Sequence, residues 1–203
     1  VPRAYVEAGS QIVLTNTFRA NCTALTGYDL ADQAEAITRA GVEISRRAVG
    51  DRAAVFASIG PSGKMLVAGE VTEQELSDAF CQQAQVMAHA GADGIVIETM
   101  AELEEAELAL AAAKQTGLPV VACVVFDSGP NSDCTMMGVT PEQAAERLAA
   151  AGADVVGANC GQGINGYIDI CRRMRAVTDK PLWIKANAGV PEVVDGNVVY
   201  KTS

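Results

Sequence analysis

Large aromatic rings are scarce in this sequence: Phe, Tyr and Trp make up 4% of 203 residues, and there is a single Trp. Such a core must be filled by small and β-branched side chains, and the abundance of Ala, Val and Gly suits parallel strands covered by helices. Histidine is scarcer still. The one histidine, His89, falls near the end of a predicted helix, so Ser-His and Cys-His hydrolytic arrangements find little support. Positive charge is also short. Fifteen Lys and Arg against 25 Asp and Glu leave a net charge of −10, which argues against a nucleic-acid or anionic-membrane partner. The longest apolar runs, such as Val120 to Phe126, stay well below the roughly 18 residues that cross a bilayer. No basic-then-apolar signal segment opens the chain. The six cysteines (Cys22, Cys81, Cys123, Cys134, Cys160, Cys171) include no CxxC pair, so the expectation is reduced thiols in a soluble, cytoplasmic protein.

Hydrophobic residues at 49% against 20% charged suffice for one sizeable core, and residues 1–203 read as a single domain. Short apolar runs alternate with amphipathic stretches, the pattern of βα units feeding a parallel sheet. Six strands are expected: 11–15, 54–59, 94–98, 120–126, 155–160 and 182–186. Between them, Leu30, Ala34, Ile37, Gly41, Ile44 and Ala48 share one helical face, as do Leu76, Phe80, Ala84 and Met87. Thr72 with Glu75, and Thr140 with Pro141 and Gln143, mark helix starts. Further helices are expected from about Glu102 and Gly166. Ala-Gly-Ala-Asp occurs at 90–93 and 151–154, and Ala-Gly-Ser at 8–10. Each glycine fits the left-handed position that ends a helix before the next strand.

In parallel α/β folds, ligands lie beyond the carboxyl ends of the strands. Here those ends are polar: Thr15-Asn16, Ser58, Glu98-Thr99, Asp127, Asn159-Cys160 and Asn187. Such residues also serve simply to turn a chain, but six on one rim favour a shared site. Cys160 stands out because it closes an expected buried strand and precedes the flexible Gly161-Gln162-Gly163; the plainer reading is a small buried hydrophobe. That plainer reading dominates for Cys123, Cys81 and Cys171, while Cys134 lies in a loop. Gly161, Gly163 and Gly166 match the dinucleotide fingerprint G-x-G-x-x-G. They fall in the fifth visible unit rather than the first, and no acid occupies the window around Ile184 to Ala186 where the ribose would be read.

Taken together, 12–18 (IVLTNTF), 58–61 (SIGP), 97–100 (IETM), 157–160 (GANC) and 187–191 (NAGVP) resemble, in the same order, the homocysteine S-methyltransferase family. The similarity runs along essentially the whole chain and is nearest to the homocysteine-binding modules of cobalamin-dependent methionine synthases and their bacterial relatives. The resemblance implies a (β/α)8 TIM barrel, and a methyl group transferred to the thiol of homocysteine to form methionine. It further implies that Cys160 is one of three thiolates holding a catalytic zinc ion, whose bound sulfur stays nucleophilic in an electron-rich shell. By the same resemblance Glu98 is the candidate for the substrate ammonium, with Asn16, Thr15 and Ser58 shaping the amino-acid pocket. Asn159 and Asn187 are candidates for orienting Cys160 and the loop backbone. Methylcobalamin, betaine, S-methylmethionine and a folate-linked route all stand as candidate donors, and a corrinoid or folate-binding module is a candidate partner.

The sequence departs from the family in lacking an adjacent Cys-Cys pair, which supplies the other two zinc thiolates. The family's first strand is missing as well, and a helix cap and seventh helix are expected where Lys201-Thr202-Ser203 stand. The expectation is therefore an incomplete barrel of about six of eight βα units, a fragment inactive by itself. A (β/α)8 barrel takes about 250 residues. Two alternatives stand beside it. One is another TIM-barrel or doubly wound enzyme, aldolase-like, moving protons with Glu98, Asp127 and Lys185, although Lys185 reads first as a solvated rim cation. The other is a non-catalytic barrel module without its metal site.

Overall fold

The computed structural model describes residues 1–189 and 191–200, and all six expected strands form. They are β1 (Ile12–Leu14), β2 (Ala54–Ile59), β3 (Gly94–Met100), β4 (Val120–Val124), β5 (Val155–Gly163) and β6 (Leu182–Asn187). They pair in chain order, every neighbouring pair parallel. Parallel neighbours need a crossover. After α1 (Pro2–Glu7), the crossovers run through α2 (Cys22–Thr26) with α3 (Ala34–Val49), α4 (Glu73–His89), α5 (Leu103–Lys114), α6 (Pro141–Ala150) and α7 (Ile164–Arg175). No helix among the described residues is long and apolar enough to cross a membrane.

Local chemistry accounts for the element ends. The expected starts of α4 and α6 are both reciprocal caps: Thr72 accepts from the Glu75 N–H and Thr140 from the Gln143 N–H, while the Glu75 and Gln143 side chains accept from Thr72 N and Thr140 N. The repeated Ala-Gly-Ala-Asp has a physical meaning beyond its left-handed glycine. Asp93 accepts the N–H of Val55 at 2.7 Å and Asp154 that of Val120 at 2.8 Å. Each carboxylate is also held by a base from a helix, Arg46 and Lys114 respectively. One acid thus ties its own strand to a neighbouring strand and helix.

The face expected on α3 is displaced. Leu30 precedes the helix and Ile44 is 52% exposed, whereas Ala34, Thr38, Gly41, Val42, Ser45 and Val49 are buried. Gly41 explains the roll: a Cβ there would stand 2.5 Å from Thr17 Cγ2, so the helix turns its small residues to the chain that follows β1. A second departure is an antiparallel hairpin, β7 (Pro191–Val194) and β8 (Asn197–Tyr200), outside the main sheet. Its turn is Asp195-Gly196, both at positive φ, the residues a tight two-residue hairpin asks for. The helix cap expected at 201–203 lies outside the described residues.

The sheet is curled. Flat, β2 and β6 would lie about 19 Å apart across four strand spacings, yet Phe56 of β2 and Trp183 of β6 stack with centroids 6.3 Å apart. Glycines on the concave side admit the Phe56 ring and the backbone of β6. A Cβ at Gly94 would sit 2.7 Å from the Phe56 ring, and one at Gly157 would sit 2.1 Å from the Trp183 carbonyl oxygen. Leu14, Val96, Val121, Cys123 and Val155 fill the rest of this layer, while the larger core packs the convex side against the helices. The result is an α/β half-barrel.

Candidate functional site at the strand ends

One step along the concave side from the aromatic layer, inward positions become polar. Glu98 on β3 is the centre, its side chain only 9% exposed. One carboxylate oxygen accepts from Ser58 Oγ at 2.6 Å and the other from Lys185 Nζ, also at 2.6 Å. Lys185 is exposed, as its rim position suggested, but it is paired with Glu98. Strand alternation puts Trp183 and Lys185 on the same side of β6, and the curl of the sheet carries Lys185 across to β3.

Beside this ion pair lies a second knot. Asn159 accepts from the Thr99 N–H at 2.8 Å, and its amide nitrogen donates to Thr99 Oγ1 at 2.6 Å and lies 3.3 Å from Cys160 Sγ. Thr99 Oγ1 is itself 3.6 Å from that sulfur. Thr99 and Cys160 both adopt left-handed backbone, φ 63° and 61°, a costly conformation for side chains of this kind and for a β-branched one above all. Two interlocked contacts hold them there: Asn159 grips Thr99, and Tyr167 Oη donates to the Cys160 carbonyl at 2.9 Å. Gly161 follows at φ 60°, where a Cβ would come within 2.4 Å of the Phe126 carbonyl oxygen. The ladder to β6 slips after Cys160, which turns the chain out of the strand and leaves the thiol half-buried at the rim.

The remaining candidates are distributed around this centre. Thr15 is buried and structural in its bonds: its hydroxyl lies 2.6 Å from Thr17 Oγ1 and accepts from the Ser58 N–H at 3.0 Å. Asn16 turns toward α3, its Oδ1 lying 3.2 Å from where a Cβ on Gly41 would stand. Asn187 is exposed and reaches the Gly161 carbonyl at 3.4 Å. Asp127 opens a loop in which its N–H and that of Ser128 both donate to the Cys134 carbonyl. Cys123 is buried within the concave layer, and burial, reinforced by the Glu98 charge, pushes its thiol far up. Burial likewise raises the Tyr167 phenol, so both stay protonated. His89 is exposed at the end of α4. The Gly161-Gly163-Gly166 turn does not present an open helix terminus: the Gln162 side chain folds over Gly166 and donates to the Ser132 carbonyl.

Sequence reasoning placed Thr99 at a strand end without a role, named Lys185 with Glu98 only in an alternative, and passed over Tyr167. Left-handed φ at Thr99 has no sequence signal, and Tyr167 reads as an ordinary core residue of α7. Among the described residues no three His, Cys, Asp or Glu side chains come together in a way that could hold a metal ion.

Parallel βα units curled about polar strand ends define the class, an α/β half-barrel with a site on its carboxyl rim. The family model described as homocysteine S-methyltransferase matches residues 1–203, and the chain belongs to that family. It is 28% identical to a methionine synthase of Mycobacterium leprae, over 94% of this chain and 17% of that protein. It is 34% identical to betaine–homocysteine S-methyltransferase 1 of Danio rerio, over 78% of this chain and 39% of that protein. The chain thus spans well under half the length of these relatives. The crystal structure of the homocysteine methyltransferase MmuM from Escherichia coli, metallated form, superposes with TM-score 0.80 at 20% identity, over 93% of this chain and 71% of that one. That likeness establishes the shared fold.

Proposed function

We propose that this chain is the homocysteine-binding part of a methyltransferase that moves a methyl group onto the homocysteine thiol, forming methionine, and that its six strands are six of the eight units of a TIM barrel. The observation that carries the reading is the pair of adjoining strand ends, where Ser58 and Lys185 hold the Glu98 carboxylate while Asn159 ties the next residue, Thr99, beside Cys160. In this reading Glu98 accepts the substrate ammonium and Ser58 holds the carboxylate in place. Thr15 supports Ser58 by accepting its backbone N–H, and Asn187 borders the pocket. Asn159 orients Cys160. The thiol of the substrate then lies toward the rim, where a methyl donor arrives from outside.

Zinc is the metal the family resemblance implies, and a zinc site takes about four ligands. Cys160 is the one candidate thiolate that the described residues offer, so they do not by themselves fit a zinc ion. A corrinoid or folate-binding module is the proposed partner, in keeping with the similarity to methionine synthase, and methylcobalamin the proposed donor. The test is methionine formation by the natural protein that carries this chain, with homocysteine and either methylcobalamin or betaine. Cys160→Ser should lower turnover by about 10- to 100-fold or more, and Glu98→Gln should raise the homocysteine KM by about tenfold. Unchanged kcat/KM in both variants would overturn the assignment.

A further inference from the structure

Lys185 and Glu98 form an ion pair at a place where, on the reading above, the substrate must bring its own ammonium. The two groups differ in freedom. Glu98 is 9% exposed and pinned by Ser58 at one oxygen, while Lys185 meets it from another strand through the end of its side chain. A flexible four-carbon stem lets a lysine head swing where a buried glutamate cannot. An incoming ammonium that takes Glu98 competes with Lys185 for a carboxylate that Ser58 already holds in part. Once displaced, that cation is left beside the ligand without a counter-ion.

We propose that Lys185 binds the carboxylate of the substrate, so that Glu98 and Lys185 together read the zwitterion of an α-amino acid. In the empty site the two charges satisfy each other. Binding breaks that single pair and makes two, ammonium on Glu98 and carboxylate on Lys185. An amine without a carboxylate exchanges one pair for one and strands Lys185. A carboxylic acid without an amine finds Lys185 already engaged. The pair thus selects for both groups on one ligand, which neither residue does alone. The inference rests on the reading of Glu98 as the ammonium site.

Calorimetric titration of the natural protein carrying this chain tests it, with L-homocysteine, its descarboxy analogue 3-mercaptopropylamine, L-homoserine and L-methionine as ligands. The wild type should bind L-homocysteine at least about tenfold more tightly than 3-mercaptopropylamine. Lys185→Met should weaken L-homocysteine by about 10- to 100-fold while leaving 3-mercaptopropylamine unchanged or tighter, because its rival for Glu98 is gone. Lys185→Arg should keep homocysteine binding within roughly threefold, since the charge remains. Equal wild-type affinity for homocysteine and 3-mercaptopropylamine overturns the proposal whether or not the variants fold. Equal losses for the two ligands in Lys185→Met, or no loss for homocysteine, also overturn it. If homocysteine fails to bind but homoserine or methionine binds and is lost in Lys185→Met, the zwitterion clamp stands and the thiol substrate falls. If none of the three amino acids binds, both fall.

Discussion

Asn159→Ala is the sharpest test of how the rim is built. The side chain makes two bonds to one residue, accepting from Thr99 N at 2.8 Å and donating to Thr99 Oγ1 at 2.6 Å. Asn159 is 1% exposed, so water does not readily replace it. Loss of the donor bond costs about 1 kcal/mol, and leaving the Thr99 N–H without its acceptor costs about 1–3 kcal/mol more. The total expected is about 3 kcal/mol. Thr99→Ala removes only the hydroxyl, keeps the backbone bond to Asn159, and should cost about 1 kcal/mol. That hydroxyl bond is shared, so the double variant should lose about 3 kcal/mol rather than about 4, a coupling of about 1 kcal/mol. Urea unfolding of the four proteins measures all of these values. Additive losses, or a cost for Asn159→Ala below about 1 kcal/mol, would refute the idea that Asn159 holds Thr99 in its left-handed conformation.

Two further outcomes are expected. Gly157→Ala would push a Cβ to 2.1 Å from the Trp183 carbonyl oxygen and 2.9 Å from Cys123 Sγ, prising β5 from β6. A loss of about 3 kcal/mol or more is expected, and an unchanged urea midpoint would contradict the packing described. Arg173 grips both oxygens of Glu142 at 2.6 and 2.8 Å and also reaches Asp133, and the bonds from its guanidinium hold the Glu142 carboxyl down at about 2. A carboxyl depressed by folding stabilises the native state above its ordinary range and loses that contribution as pH falls toward the folded value. The stability gap between wild type and Arg173→Met should therefore be full at pH 6 and shrink from about pH 4.5 toward pH 2. A gap independent of pH would show that Glu142 is not the group involved.

Much of the fold was legible because its signals are local. Six apolar β-branched runs, two capping boxes and repeated Gly-Ala-Asp helix ends each act within a few residues, and all appear where expected. Asp195-Gly196 was equally local, a hairpin turn that went unread because the chain beyond β6 was expected to proceed to a helix. The face of α3 was misjudged for the opposite reason. Periodicity chose the side bearing Ile37 and Ile44, but the contact at Gly41 chose the side of small residues that lets Thr17 close in.

The sequence alone determined which side chains stand at the strand ends, since period-two alternation and the order of strands are written along the chain. It also carried the family, through short motifs that follow the family's order. Only the tertiary structure decided which of those ends meet. Curling brings β6 across to β3, so Lys185 closes on Glu98 over 87 residues of chain, and Asn159 reaches back to Thr99 over 60. Asn16, beside Thr15 in sequence, turns toward α3 instead. Contacts of that kind depend on the curvature of the whole sheet, a sum of twists and packed rings that no single segment encodes.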